Sequence, residues 1–151
     1  MASITTALAS GFKLELLKGQ HDFDAHTMRV KLIKTGYSGN YGAATAAISE
    51  LTSNSDEALN GSGSALGHAT AAIASGFPQM SGSTAIMDFD DAVFASVTTS
   101  AEGAILYNPN ADSSADVIAV FNFNGTVSAT SGDFTVQFPT GDATNAILRL
   151  A

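Results

Sequence analysis

The densest run of side chains able to hold a metal or move a proton is HDFDAH, residues 21–26. His21, Asp22, Asp24 and His26 supply imidazole and carboxylate groups that suit a divalent cation, provided the segment folds back on itself. The spacing matches no established metal motif, and the same run suits a solvated connection between a helix and a strand. A second cluster, DFDD, holds Asp88, Asp90 and Asp91. On a strand Asp88 and Asp90 share one face, close enough to share a proton or a calcium ion. Paired carboxylates also serve glycosidases. Yet Trp is absent from the chain, and no aromatic run nearby would seat a sugar, so a strand end meeting solvent is the simpler expectation.

Other constellations are weaker. NPNADSSAD (residues 108–116) has the Asn and Asp of a calcium loop but lacks the Gly and closing Glu of an EF-hand, and reads as a hairpin loop. GYSGNYG (residues 36–42) lacks the lysine that would make it a phosphate loop. His68 stands alone among small residues. No G-x-S-x-G elbow occurs, and cysteine is absent, which removes thiolate nucleophiles, thiolate zinc sites and disulfides. The expectation is a protein with no catalytic residues, no metal and no cofactor.

Composition points toward surface rather than site. The chain has 151 residues, 45% of them hydrophobic and only 13% charged, where an ordinary domain carries about 25% charged residues. Ala, Ser, Thr and Gly make up nearly half of it. Small uncharged side chains therefore coat much of the outside and suit flat packing against other protein. Net charge is −8, unevenly spread. Lys13, Lys18, Arg29, Lys31 and Lys34 lie in the first 34 residues, and the next base is Arg149. The acidic stretch between them would repel nucleic acid, whereas the basic N-terminal segment suits an acidic partner. No apolar run is long enough to span a membrane. The opening MASITTALASGF has neither a basic nor an apolar signal region, so no secretory signal is expected.

The elements that must position these residues follow from periodicity. Ile4, Leu8, Phe12 and Leu16 recur every four residues, which predicts a helix over residues 4–18 stopped at Gly19, with a flexible arm as the alternative. Residues 1–26 form this helix or arm and its connection, and residues 27–151 form a β-rich domain. From Thr27 the period changes to two: Met28, Val30 and Leu32 face one way, Arg29, Lys31 and Ile33 the other. Residues 53–67, rich in Ser, Asn and Gly, read as a surface loop. Short strands follow over residues 69–73, 84–89, 104–107, 116–123, 134–138 and 146–150. Asn124-Gly125 is the strongest hairpin signal, and Phe121, Phe123, Phe134 and Phe138 are expected to share a core. The pattern predicts a mainly β protein, an antiparallel sandwich or barrel-like domain with a short N-terminal helix or arm.

The order of segments FKLELLKG, MRVKLIKTG, YGAAT, SDEALNGSG, TAIMDFDDAVF, GAILYNP, VIAVFNFNGTVSATSGDFTVQFP and AILRL resembles small virion structural proteins of tailed bacteriophages, most of all capsid decoration (cement) proteins. The resemblance is one of layout and composition over nearly the whole chain. It implies a β-rich homotrimer, made in the host cytoplasm, that sits on the virion and clamps neighbouring major capsid subunits without touching nucleic acid or membrane. Related layouts imply a tail or fibre component instead. A cation- or carbohydrate-binding adhesion module using Asp88, Asp90 and Asp91 is the alternative of a different class. On the first reading the gripping residues are Ile4, Leu8, Phe12, Lys13, Lys18, Arg29, Lys31 and Lys34.

Overall fold

The alternation along residues 28–34 buries Met28, Val30 and Leu32 and leaves Arg29 and Lys31 at the margin of the core. The rest of the architecture grows outward from that strand. The computed structural model describes residues 1–111 and 116–151. In chain order its elements are β1 (Ser3–Ile4), β2 (Ala7–Leu8), α1 (Ser10–Leu17), β3 (Met28–Lys34), β4 (Asn40–Tyr41) and α2 (Ser49–Ser53). They continue with β5 (Ala69–Ala71), β6 (Gln79–Ser81), β7 (Thr84–Met87), β8 (Ala92–Tyr107), β9 (Val117–Val136) and β10 (Leu148–Leu150).

The main sheet has the order β2-β9-β8-β3-β5, with every pairing antiparallel. A smaller antiparallel sheet has the order β10-β7-β6, and β1 pairs with β4 in parallel. Met87 and Leu148 of the small sheet join Val30, Ile105, Val120 and Phe134 of the main sheet in one core. The protein is thus mainly β and sandwich-like. The main sheet is open, with β2 and β5 at its edges, so the barrel is not the form adopted. Phenylalanines brace the space between, with ring pairs Phe23–Phe89, Phe89–Phe138, Phe121–Phe138, Phe123–Phe134 and Phe94–Phe134 at 5.9–6.5 Å. The four expected to share a core do so.

Three local expectations are corrected. Residues 3–8 are extended, and the helix starts only at Ser10. The run Ile4, Thr5, Thr6 is β-branched, which disfavours a helix, and neighbouring groups claim its backbone. Asn122 Nδ2 donates to Ile4 O at 2.7 Å, and Thr5 N donates to Tyr41 O at 2.8 Å. Gly19 does stop the helix, at φ +71°.

Asn124-Gly125 does not close a hairpin. β9 runs straight through it, with Gly103 opposite Asn122 and Ala101 opposite Val127, so residues 123–126 bulge against Glu102 alone. Asn124 (φ 57°) and Gly125 (φ 152°) supply the backbone angles the bulge requires. At the two ends of the 108–116 stretch, Asn108 N donates to Asp116 O at 2.8 Å and ties the antiparallel β8 and β9 together. The hairpin-loop reading of that stretch falls partly on residues 112–115, outside the described residues. Finally, residues 53–67 are not all surface, because Asp56 and Ala58 are fully buried.

Candidate interaction surface

Helix α1 inverts the usual distribution of side chains. Glu15 is buried beside Phe12, whereas Leu14 and Leu17 are 56% and 88% exposed. Phe12 and Leu16 face the domain. Both also line, together with the exposed Leu17, a groove of about 640 Å³ between α1 and the small sheet. Its other walls come from Leu8, Phe23, Pro78, β7 (Ala85, Ile86, Met87) and β10 (Leu148, Arg149, Leu150), with Lys13 on the rim. Leu150 is 62% exposed, as is Met80 on the neighbouring β6. Isolated exposed leucines are ordinary, but a cluster of them around an apolar hollow marks an interaction site.

Glu15 is buried because it serves a polar network beneath the helix. Its Oε2 lies 3.3 Å from His21 Nε2. Asn108, fully buried, points Nδ2 at His21 Nδ1 (3.3 Å) and His26 Nδ1 (3.0 Å). Asn108 Oδ1 accepts from Asn110 N at 3.0 Å, which fixes the orientation of the amide. Nδ1 of each imidazole must then be the acceptor, and in the neutral ring the proton sits on Nε2. Burial lowers the His21 pKa, against the Glu15 carboxylate, which favours the cation. The remaining polar groups of HDFDAH shape the turn: Asp22 Oδ1 accepts from Asp24 N and Ala25 N at 2.9 and 3.2 Å. The segment is therefore a buried clasp at His21 rather than a wholly solvated connection, and Nδ1 of both histidines is engaged by Asn108.

No protein family, curated protein or solved structure matches this chain.

The eight residues expected to grip a partner divide sharply. Ile4 and Phe12 are buried in the core, 6% and 1% exposed; Ile4 offers a partner nothing directly, whereas Phe12 lines the groove. Ile4 packs over Gly103 in the main sheet, and the four-residue stripe is split between two strands and a helix. Leu8 is half-buried in the groove wall. Lys31 Nζ is 2.6 Å from Glu57 Oε2, and Lys34 Nζ is 3.8 Å from Asp56 Oδ1. Arg29 pairs across the strands with Tyr107, close to His68. Lys13 and Lys18, both exposed on the α1 side, form no salt bridge among the described residues. Among the lysines, those left without a carboxylate partner therefore lie beside the groove and not on β3; on β3 Arg29, half-buried, also has no salt bridge among the described residues.

Of the other acidic candidates, Asp88 Oδ1 accepts from Phe89 N, and Asp91 Oδ1 accepts from Phe138 N, each at 2.9 Å. Asp90 is exposed, with its backbone N donating to Ala72 O at 2.8 Å. Among the described residues no three His, Asp or Glu side chains come together in a group able to hold a metal. Asp56 was hidden by its loop-like surroundings. It accepts from Ser38 N (3.0 Å), Gly39 N (2.7 Å) and Tyr41 Oη (2.8 Å), and so organises the segment joining β3 to β4. The groove residues Leu17, Ile86, Arg149 and Leu150 were also missed. Their one sequence signal was that leucines fall on both sides of α1, more than a single buried stripe needs.

Proposed function

We propose that the chain is a structural protein that docks onto other protein through its α1 face, acting as a decoration protein on the capsid of a tailed bacteriophage. The observation that carries docking is the apolar groove with Leu17 and Leu150 exposed at its mouth. The resemblance in layout supports the major capsid protein as the partner and a homotrimer as the assembly. In such a lattice each contact is strengthened by its neighbours, so a modest groove on every copy suffices. The acidic body, with 11 carboxylates and no Lys or Arg between Lys34 and Arg149, keeps nucleic acid away.

The test is the mass of the purified protein by light scattering, followed by sedimentation with bare phage shells. A trimer that saturates shells at many copies supports the reading. Binding at only a few copies per particle moves the assignment to a tail or fibre part, and a monomer that ignores shells overturns it.

A further inference from the structure

The groove has a chemical preference as well as a shape. Its floor and walls are almost wholly apolar, and among the described residues its only charged lining side chains are Lys13 and Arg149, both basic. Lys18 follows Leu17 at the end of α1, exposed and without a salt bridge among the described residues. Arg149 is held in place by hydrogen bonds from its Nη1 to the carbonyl oxygens of Thr144 and Ala143, which leaves guanidinium donors to spare. This basic rim stands on a molecule of net charge −8, whose other lysines, Lys31 and Lys34, are matched by Glu57 and Asp56. Lys13 and Lys18, without salt bridges among the described residues, and Arg149, within electrostatic reach of Asp142, give the apolar hollow a basic rim, which selects an occupant that is apolar and flanked by carboxylates.

We propose that the groove between α1 and the β10-β7-β6 sheet docks an acidic amphipathic peptide segment of another protein. Its apolar side chains seat against Leu8, Leu16, Leu17 and Leu150, and its carboxylates meet Lys13 and Arg149. The inference rests on the reading of the α1 face as a protein-docking surface, and it adds the chemistry of the segment that docks.

The test uses the full chain and two fluorescent peptides with identical leucine and phenylalanine positions, one carrying glutamates between them and the other lysines. Fluorescence anisotropy should show the glutamate peptide binding at least about tenfold more tightly, with the preference shrinking as salt is added. Leu17→Ser, at a position too exposed to unfold the domain, should weaken the glutamate peptide, and Lys13→Glu with Arg149→Glu should reverse the preference. Thermal melts of each variant confirm that the fold is intact. Equal affinity for both peptides, no binding of either, or binding of anionic phosphatidylglycerol vesicles in place of peptide overturns the proposal. So does self-association of the chain that Leu17→Ser abolishes, because a second copy then fills the groove. Failure of the decoration reading is seen separately, as shells left unbound by a chain that still prefers the glutamate peptide.

Discussion

At the scale of single residues, two buried polar groups do work that their neighbours in sequence do not announce. Asn108 Nδ2 needs an unprotonated Nδ1 on both His21 and His26. Because burial lowers the His21 pKa, the unfolded chain binds that proton more readily than the folded one. The contribution is fully present above the ordinary imidazole pKa of about 6.5 and is lost as pH falls below it toward the depressed folded value. Urea midpoints should therefore drop between about pH 7 and pH 5. His21→Gln should lower the midpoint at neutral pH and flatten that slope; an unchanged slope would remove His21 as its source. Asp56 acts in a lower window. Burial alone would raise its pKa, but hydrogen bonds from Tyr41, Gly39 and Ser38 outweigh it and hold the carboxyl below its usual range. Its contribution is present above the ordinary carboxyl pKa of about 3.9 and fades as pH falls through the depressed value. Asp56→Ala strands the donors of Ser38, Gly39 and Tyr41 and should cost about 3 kcal/mol in denaturant unfolding. A loss within the ordinary scatter of surface substitutions would show that water replaces the carboxylate.

At the scale of elements, the sequence displayed the strands better than their connections. Period-two alternation located β3, β7 and β10, and the phenylalanine spacing anticipated the core, because those signals are local and report burial directly. The β8–β9 ribbon was harder. Its bulges break the alternation, and Asn124-Gly125 has the same left-handed backbone preference whether it closes a turn or lifts a bulge. Only pairing with β8, remote in sequence, decides between them. The N-terminal stripe failed for a related reason: a spacing of four suits a helix, but also two extended turns whose backbone is claimed by Tyr41 and Asn122. Of the candidate site, Leu8, Lys13 and Lys18 were legible and Leu150 and Arg149 were not, since nothing local places the C-terminal strand beside α1. Gly103 shows how tight the joint between these elements is. A Cβ there would lie 2.6 Å from Phe121 O and 3.0 Å from Ile4 Cδ1. Gly103→Ala should therefore destabilise by about 2 kcal/mol through overpacking and expose β1 to hydrogen exchange before the rest of the sheet. Protection of the Ser3 and Thr5 amides, which donate to Gly39 O and Tyr41 O, at wild-type levels would count against Gly103 as the reason residues 3–8 are held extended.

At the scale of the whole molecule, the distribution of charge separates folding from docking. Bases gather in the first 34 residues, and from sequence alone all five are equal candidates for a partner. The fold makes them unequal. Lys31 and Lys34 answer Glu57 and Asp56, carboxylates that are themselves buried. Reversing their sign sets like charges against each other in a site poor in water, where removing a partner is costly. Lys13 and Lys18 stand exposed on α1 with no such partner among the described residues, and reversing them should leave the fold nearly untouched. The two double variants should consequently diverge. Lys31→Glu with Lys34→Glu should lower the melting temperature by several degrees, as expected for a loss of one or more kcal/mol in a domain of this size. Whatever shells it fails to bind would then reflect unfolding. Lys13→Glu with Lys18→Glu should keep the wild-type melting temperature and yet reduce shell occupancy, most of all at low salt, where unscreened charge counts most. If instead the β3 pair loses binding at an unchanged melting temperature while the α1 pair binds normally, the contact face lies on the sheet, and the groove beside α1 has another use.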